Sequence, residues 1–110
     1  MAYLYGLTKA YDINEARRRA RYFEEQSERD LWKANEALKK DIDQQSYRGE
    51  TWACADIDFS TYGEQGSFVT SVDLADIYRE VGYKVNIKEL FNSADDDVKG
   101  YRVEVSWEED

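Results

Sequence analysis

The stretch INEARRRARYFEEQSERDLWKANEALKKDIDQQ, residues 13–45, decides the fold. Its apolar and small positions are Ile13, Ala16, Ala20, Phe23, Ser27, Leu31, Ala34, Leu38 and Ile42. They recur every three or four residues, the period of a helix and not of a strand. At 1.5 Å per residue such a helix is about 50 Å long. Asp12 supplies a cap, and Glu15 reaches back to it in a D-x-x-E version of the capping box. Tyr11 before the cap packs on Ala16 as a staple. Polar Gln44, Gln45 and Ser46 mark the end, and Gly49 supplies the left-handed residue that closes it. Glu25–Arg29 and Glu36–Lys40 are i,i+4 pairs in the favoured order on the outer faces.

This length creates a packing problem. A 110-residue domain has a radius of gyration near 13–14 Å, and its remaining residues cannot cover the whole apolar stripe. Three solutions follow: the helix breaks near Ser27–Glu28, it pairs with another copy, or its free part docks on something else. The small residues Ala16, Ala20 and Ser27, with Phe23 and Leu31, are the expected dimer or docking face.

The chain as a whole is one domain by length. It has a single cysteine, Cys54, and no histidine. An internal disulfide and a Cys/His metal site are thereby excluded, and the usual general base is missing. No signal peptide and no 18-residue apolar run is present, so the expected setting is cytoplasmic. The net charge of −9 is uneven. Residues 1–49 carry 10 Lys/Arg and 9 Asp/Glu, whereas residues 50–110 carry 5 and 15. An acidic module therefore follows a near-neutral helix.

Before the helix, MAYLYGLTKAY (1–11) alternates loosely, as a short edge strand or an arm would. After Gly49 the period changes to two. TWACADIDF (51–59) reads as a strand with Ala53, Ala55, Ile57 and Phe59 on its buried face. STYGEQGS (60–67) reads as a connector, and 68–72 as a short strand or lead-in. A second helix is expected over about 73–81, capped by Ser71 or Asp73, with Leu74, Ile77, Tyr78 and Val81 inward and Gly82 as its stop. Residues 83–87 and 100–107 alternate again and should pair as an antiparallel hairpin, with Tyr101, Val103, Val105 and Trp107 inward. The fold class is α+β: one long N-terminal helix (13–45) and one short helix packed on a small, mainly antiparallel sheet, with 50–110 as an acidic β-α-β-β module.

Four features bear on chemistry. Asp56 and Asp58 form a D-x-D, with Glu104 on a neighbouring strand. Carboxylates alternating on one sheet face suit Mg²⁺ and phosphotransfer, or they are a solvated face that discourages edge pairing. Without a phosphate loop the second reading is preferred, and no metal or cofactor is expected. Cys54 sits among carboxylates that oppose thiolate formation, so it is structural. Arg17, Arg18, Arg19 and Arg21 either meet phosphates or form an ordinary charged helix face. The acidic set is Asp56, Asp58, Asp95, Asp96, Asp97, Glu104, Glu108, Glu109 and Asp110. It serves solubility, or it imitates a phosphate backbone toward a basic protein.

The short single domain, the excess carboxylates, the nine tyrosines and the ending GYRVEVSWEED after a GYKV strand resemble the small acidic proteins that bacteriophages encode against host defence, including anti-CRISPR inhibitors. That resemblance implies a non-enzymatic inhibitor acting in the host bacterial cytoplasm. Its partner would be a basic nucleic-acid-handling protein such as a CRISPR effector, with no direct contact to nucleic acid or membrane. The alternatives are a homodimeric assembly protein using the long helix and a Mg-dependent phosphotransfer enzyme.

Overall fold

The computed structural model describes residues 13–109. The elements are α1 (Ile13–Tyr47), β1 (Trp52–Asp58), α2 (Phe59–Tyr62), α3 (Glu64–Glu80), β2 (Lys84–Phe91) and β3 (Val98–Ser106). The fold is α+β. Its sheet has the order β1-β3-β2 and is antiparallel throughout. The expected cap at Asp12, the staple at Tyr11 and the arm at 1–11 lie outside the described residues.

α1 runs without a break for 35 residues. Ser27–Glu28 does not interrupt it, which removes the first of the three solutions. Its end follows the expected rule: Gly49 has φ 82°, and the Glu50 and Arg48 amides both donate to the Gln45 carbonyl, satisfying a carbonyl that the last turn leaves open. On the outer face Glu36 pairs with Lys39 at 3.4 Å rather than with Lys40.

One face of the sheet is buried. Ala53, Ala55 and Ile57 from β1 and Val103 and Val105 from β3 alternate inward, as period-two patterning requires. The C-terminal half of α1 lies on β1, and α3 lies on β2 and β3 and beside α1. Ala34 and Leu38 of α1 meet Leu74, Ala75 and Tyr78 of α3 in this core. Polar contacts fix the same seam. The Tyr78 hydroxyl donates to Asn35 Oδ1 at 2.6 Å. Cys54 N–H, on the open edge of β1, donates to Asp41 Oδ2 at 2.9 Å. An edge amide that would otherwise face solvent or another strand is thus satisfied by the helix.

Several expectations fail between 59 and 81. β1 ends at Asp58, and Phe59 opens α2 instead of extending the strand. The connector 60–67 and the strand at 68–72 are in fact helical, so neither Ser71 nor Asp73 is a cap. The physical reason lies in the small residues. Only Gly63, at φ 80°, is a break; Ser67, Thr70 and Ser71 are the buried face of α3. Ser71 Oγ satisfies itself on the Ser67 carbonyl at 2.7 Å, so a small polar residue is accommodated inside the helix. The buried stripe is consequently rotated: Leu74 and Tyr78 point inward, but Ile77 and Val81 are exposed. Trp107 is only half-buried, and it stacks edge-on against Tyr83, itself edge-on to Tyr78. The β2–β3 connector is shorter than 88–99, because Lys88–Phe91 belongs to β2 and Val98 and Lys99 to β3.

Asp30 marks the point where α1 meets the body. It is the buried carboxylate at the first turn of α3, where a Cβ on Gly66 would sit 3.5 Å from its Oδ2. α3 has no side-chain cap of its own, and a negative charge there complements its dipole.

Two glycines give opposite expectations for one substitution. Gly66→Ala meets only ordinary contacts and removes a glycine from the first turn of α3, so it should stabilise by about 0.4–1 kcal/mol. At Gly100 an added Cβ would lie 2.6 Å from the Asp58 Cα and 2.7 Å from the Ile57 carbonyl oxygen. Gly100→Ala should therefore destabilise by about 1–3 kcal/mol. Thermal melts of both variants check this pair, with expected shifts of several degrees in opposite directions.

Candidate partner-binding surface

The sheet face turned away from the helices carries the expected D-x-D, but the two aspartates separate in role. Asp56 faces Arg102 across the β1–β3 pairing. Arg102 donates through Nε to Asp56 Oδ1 at 2.6 Å and through Nη2 to Oδ2 at 3.1 Å. This two-pronged pair is the strong form of the carboxylate–guanidinium contact, and it pushes the Arg102 pKa above its ordinary value. Glu104, next but one on β3, pairs with Lys88 of β2 at 3.2 Å.

Asp58 is the last residue of β1, paired with Gly100, and its side chain turns to the helix that follows. It is the N-cap of α2, and its Oδ2 accepts from the Thr61 amide at 3.1 Å, from Thr61 Oγ1 at 3.0 Å and from Ser60 Oγ. Those donors, the Ser60 hydroxyl first, hold its carboxyl below the usual aspartate value. Asp56, Asp58 and Glu104 therefore do not converge. Among the described residues no group of three or more His, Cys, Asp or Glu side chains is placed to hold a metal ion. Cys54, on the same face as Asp56, has its pKa raised by burial, an effect that Arg102 opposes and that Asp41 and Asp56 reinforce. That is the direction expected of an unreactive thiol.

The remaining carboxylates stand at opposite ends of the sheet. Asp95, Asp96 and Asp97 occupy the exposed β2–β3 loop. Glu108 and Glu109 follow β3 at its other end, about 30 Å away along a nine-residue strand; Asp110 lies outside the described residues. The acidic set therefore does not gather into one continuous patch. β-structure places residues 56, 58, 95–97, 104 and 108–109 on a face, a cap and two ends.

The loop itself is well specified. The Asn92 amide donates to the Asp97 carbonyl at 2.8 Å, and the Asp96 amide to the Asn92 carbonyl at 2.9 Å. Asn92 Oδ1 accepts from the Ala94 amide, and Asp95 Oδ1 from the Asp97 amide. Asp96 takes φ 59°, a conformation that Asp tolerates better than most residues. No ion pair engages these three carboxylates among the described residues.

The second candidate surface is the N-terminal part of α1. Phe23 is 44% exposed, Tyr22 66% and Trp32 68%. Ser27 and Leu31 are half-buried, Leu31 because it begins to pack on the core. For Ala16 and Ala20 the helical backbone places the positions on the same stripe as Phe23. Arg17 and Arg21 are exposed. Sequence reading found this stripe but missed two things: the role of Asp30 and Asp41 in docking α1, and the neutralisation of Asp56 by Arg102. The register of β1 on β3 decides the latter, and spacing along one strand does not reveal it.

No family model matches the chain, and neither a curated protein nor a solved structure matches it. No described helix is long and apolar enough to cross a membrane.

The Asp58 cap yields a prediction with a sign. A carboxyl held below its ordinary value in the folded state stabilises fully above the ordinary carboxylate range, and the contribution disappears as pH falls through the folded value. Asp58→Ala should cost about 0.5–2 kcal/mol at pH 7 and progressively less in acid. Urea melts of wild type and variant at pH 7 and pH 3 check this, with the NMR titration of Asp58 lying below that of an exposed aspartate.

Proposed function

We propose that the protein is a non-enzymatic binding protein of the inhibitor type, and that it contacts a basic nucleic-acid-handling protein, such as a CRISPR effector, through the acidic β2–β3 loop. The observation that carries this reading is the contrast between the sheet-face carboxylates and the loop. Asp56 and Glu104 are each matched by a cation of their own sheet, whereas Asp95–Asp97 are exposed on a loop fixed by its own hydrogen bonds and take part in no ion pair among the described residues. Fixed, exposed carboxylates of one sign steer a basic partner and compete for the Lys and Arg side chains that otherwise hold phosphates. The contact surface is thus smaller than the nine-residue acidic set: it is the loop end of the sheet.

A DNA-cleavage assay with purified CRISPR effector complexes tests the reading. Addition of the protein should suppress cleavage. The triple variant Asp95→Asn, Asp96→Asn, Asp97→Asn should need at least tenfold more protein for the same suppression while keeping its thermal melt, and raising salt should slow wild-type association. Equal suppression by wild type and triple variant would overturn the acidic-loop contact. Undiminished cleavage with every effector would overturn the choice of partner.

A further inference from the structure

The free part of α1 carries a charge pattern that is its own complement. Arg17, Arg21, Glu24 and Glu28 fall within about 60° on the helix surface, beside the stripe of positions 16, 20, 23 and 27. All four are exposed, and none takes part in an ion pair among the described residues. Turning a second copy of the helix end for end about a point between Tyr22 and Phe23 sets Arg17 opposite Glu28 and Arg21 opposite Glu24. The two-fold repeats both pairs, giving four opposite-charge contacts on one flank. A parallel pair in register would set arginine against arginine and glutamate against glutamate.

The same two-fold fits the stripe. Positions 20 and 23 of one helix leave a gap level with position 23 of the other, and positions 23 and 27 leave one level with position 20. Position 27 enters between 16 and 20. This is the interleaving that close helix pairs require, and Phe23, 44% exposed in the single chain, would meet its own copy at the centre. The small residue types at 16, 20 and 27 allow near approach. Coverage by the chain's own body begins at the buried Asp30, so the uncovered run ends at Arg29. Under the two-fold, Arg29 lies level with position 16, and the bodies stand at opposite ends of the pair.

We propose that two copies of this chain pair antiparallel through residues 16–29 of α1, with Phe23 beside the two-fold and Arg17–Glu28 and Arg21–Glu24 bridging the copies. An overlap of 14 residues is only about 21 Å long, so the interface is below standard size and the association is weak and reversible. Exposed ion pairs contribute orientation more than affinity. The inference is independent of the acidic-loop reading, since the two surfaces share no residue.

Sedimentation equilibrium across about 1 µM to 1 mM, a range of weak dissociation constants, tests it together with charge reversal. Wild type should pass from monomer to dimer within that range and dissociate more readily in ~0.5 M salt, where screening shortens to a few ångströms. Arg17→Glu/Arg21→Glu and Glu24→Arg/Glu28→Arg should each stay monomeric with unchanged circular dichroism. An equimolar mixture of the two should form a heterodimer at least as tight as the wild-type dimer. If either double variant loses helix, the single variants Arg21→Gln and Glu24→Gln should each weaken dimerisation at least threefold. A wild type that remains monomeric at ~1 mM would overturn the proposal, whether residues 1–12 or a different protein then takes the stripe. So would variants that dimerise as wild type does, or a mixture that stays monomeric.

Discussion

The structure depends on the packing of the second half of α1 against an edge strand and a helix. Leu38 and Ala34 are completely enclosed there, among Ala53, Ile57 and Leu74. Burying a leucine contributes about 1.5–3 kcal/mol, and Asn35 and Asp41 add directed hydrogen bonds to α3 and β1. This clamp does two jobs at once. It completes a core that three strands and one helix of this size would leave open on the β1 side. It also fixes the direction in which the rest of α1 extends, so the molecule measures 69 × 35 × 23 Å. The projecting half continues the same unbroken helix and is largely exposed from Arg21 to Arg29.

Charge follows the same division. Carboxylates are assigned structural work: Asp56 ties β1 to β3, Glu104 ties β3 to β2, Asp58 starts α2, and Asp30 and Asp41 of α1 face α3 and β1. The three consecutive carboxylates of the β2–β3 loop take part in no ion pair among the described residues. A net charge of −9 therefore overstates the acidic surface available to a partner, and its distribution matters more than its sum. Over residues 17–28 of α1 the charges are separated along the axis, arginine first and glutamate after, which favours an end-for-end neighbour over a parallel one.

Much of this was legible in the sequence. The three-and-four spacing from Ile13 to Ile42 defines α1, and the alternation in 51–58 and 100–107 defines two strands, because each pattern is long enough for its period to be read. The region 59–72 was not legible. Gly63, Gly66, Ser67, Thr70 and Ser71 have the composition of a loop, yet four of them belong to a helix, three of them on the face where it packs closely. Small residues mark turns and tight helix contacts alike, and only the neighbour decides between them. The separation of Asp56 from Asp58 was hidden for a similar reason. It depends on where the strand stops and on which residue of β3 lies opposite, facts set by pairing across 46 residues of chain.

One uninterrupted helix is held by its own body only from Asp30 onward. Amide hydrogen exchange followed at several protein concentrations addresses it most directly. Residues 34–42 should be strongly protected at every concentration. Residues 21–29 should exchange quickly in dilute protein and slow down as concentration rises. Equal, concentration-independent protection of both stretches would contradict the account, because it would mean that the chain covers the whole of its long helix by itself.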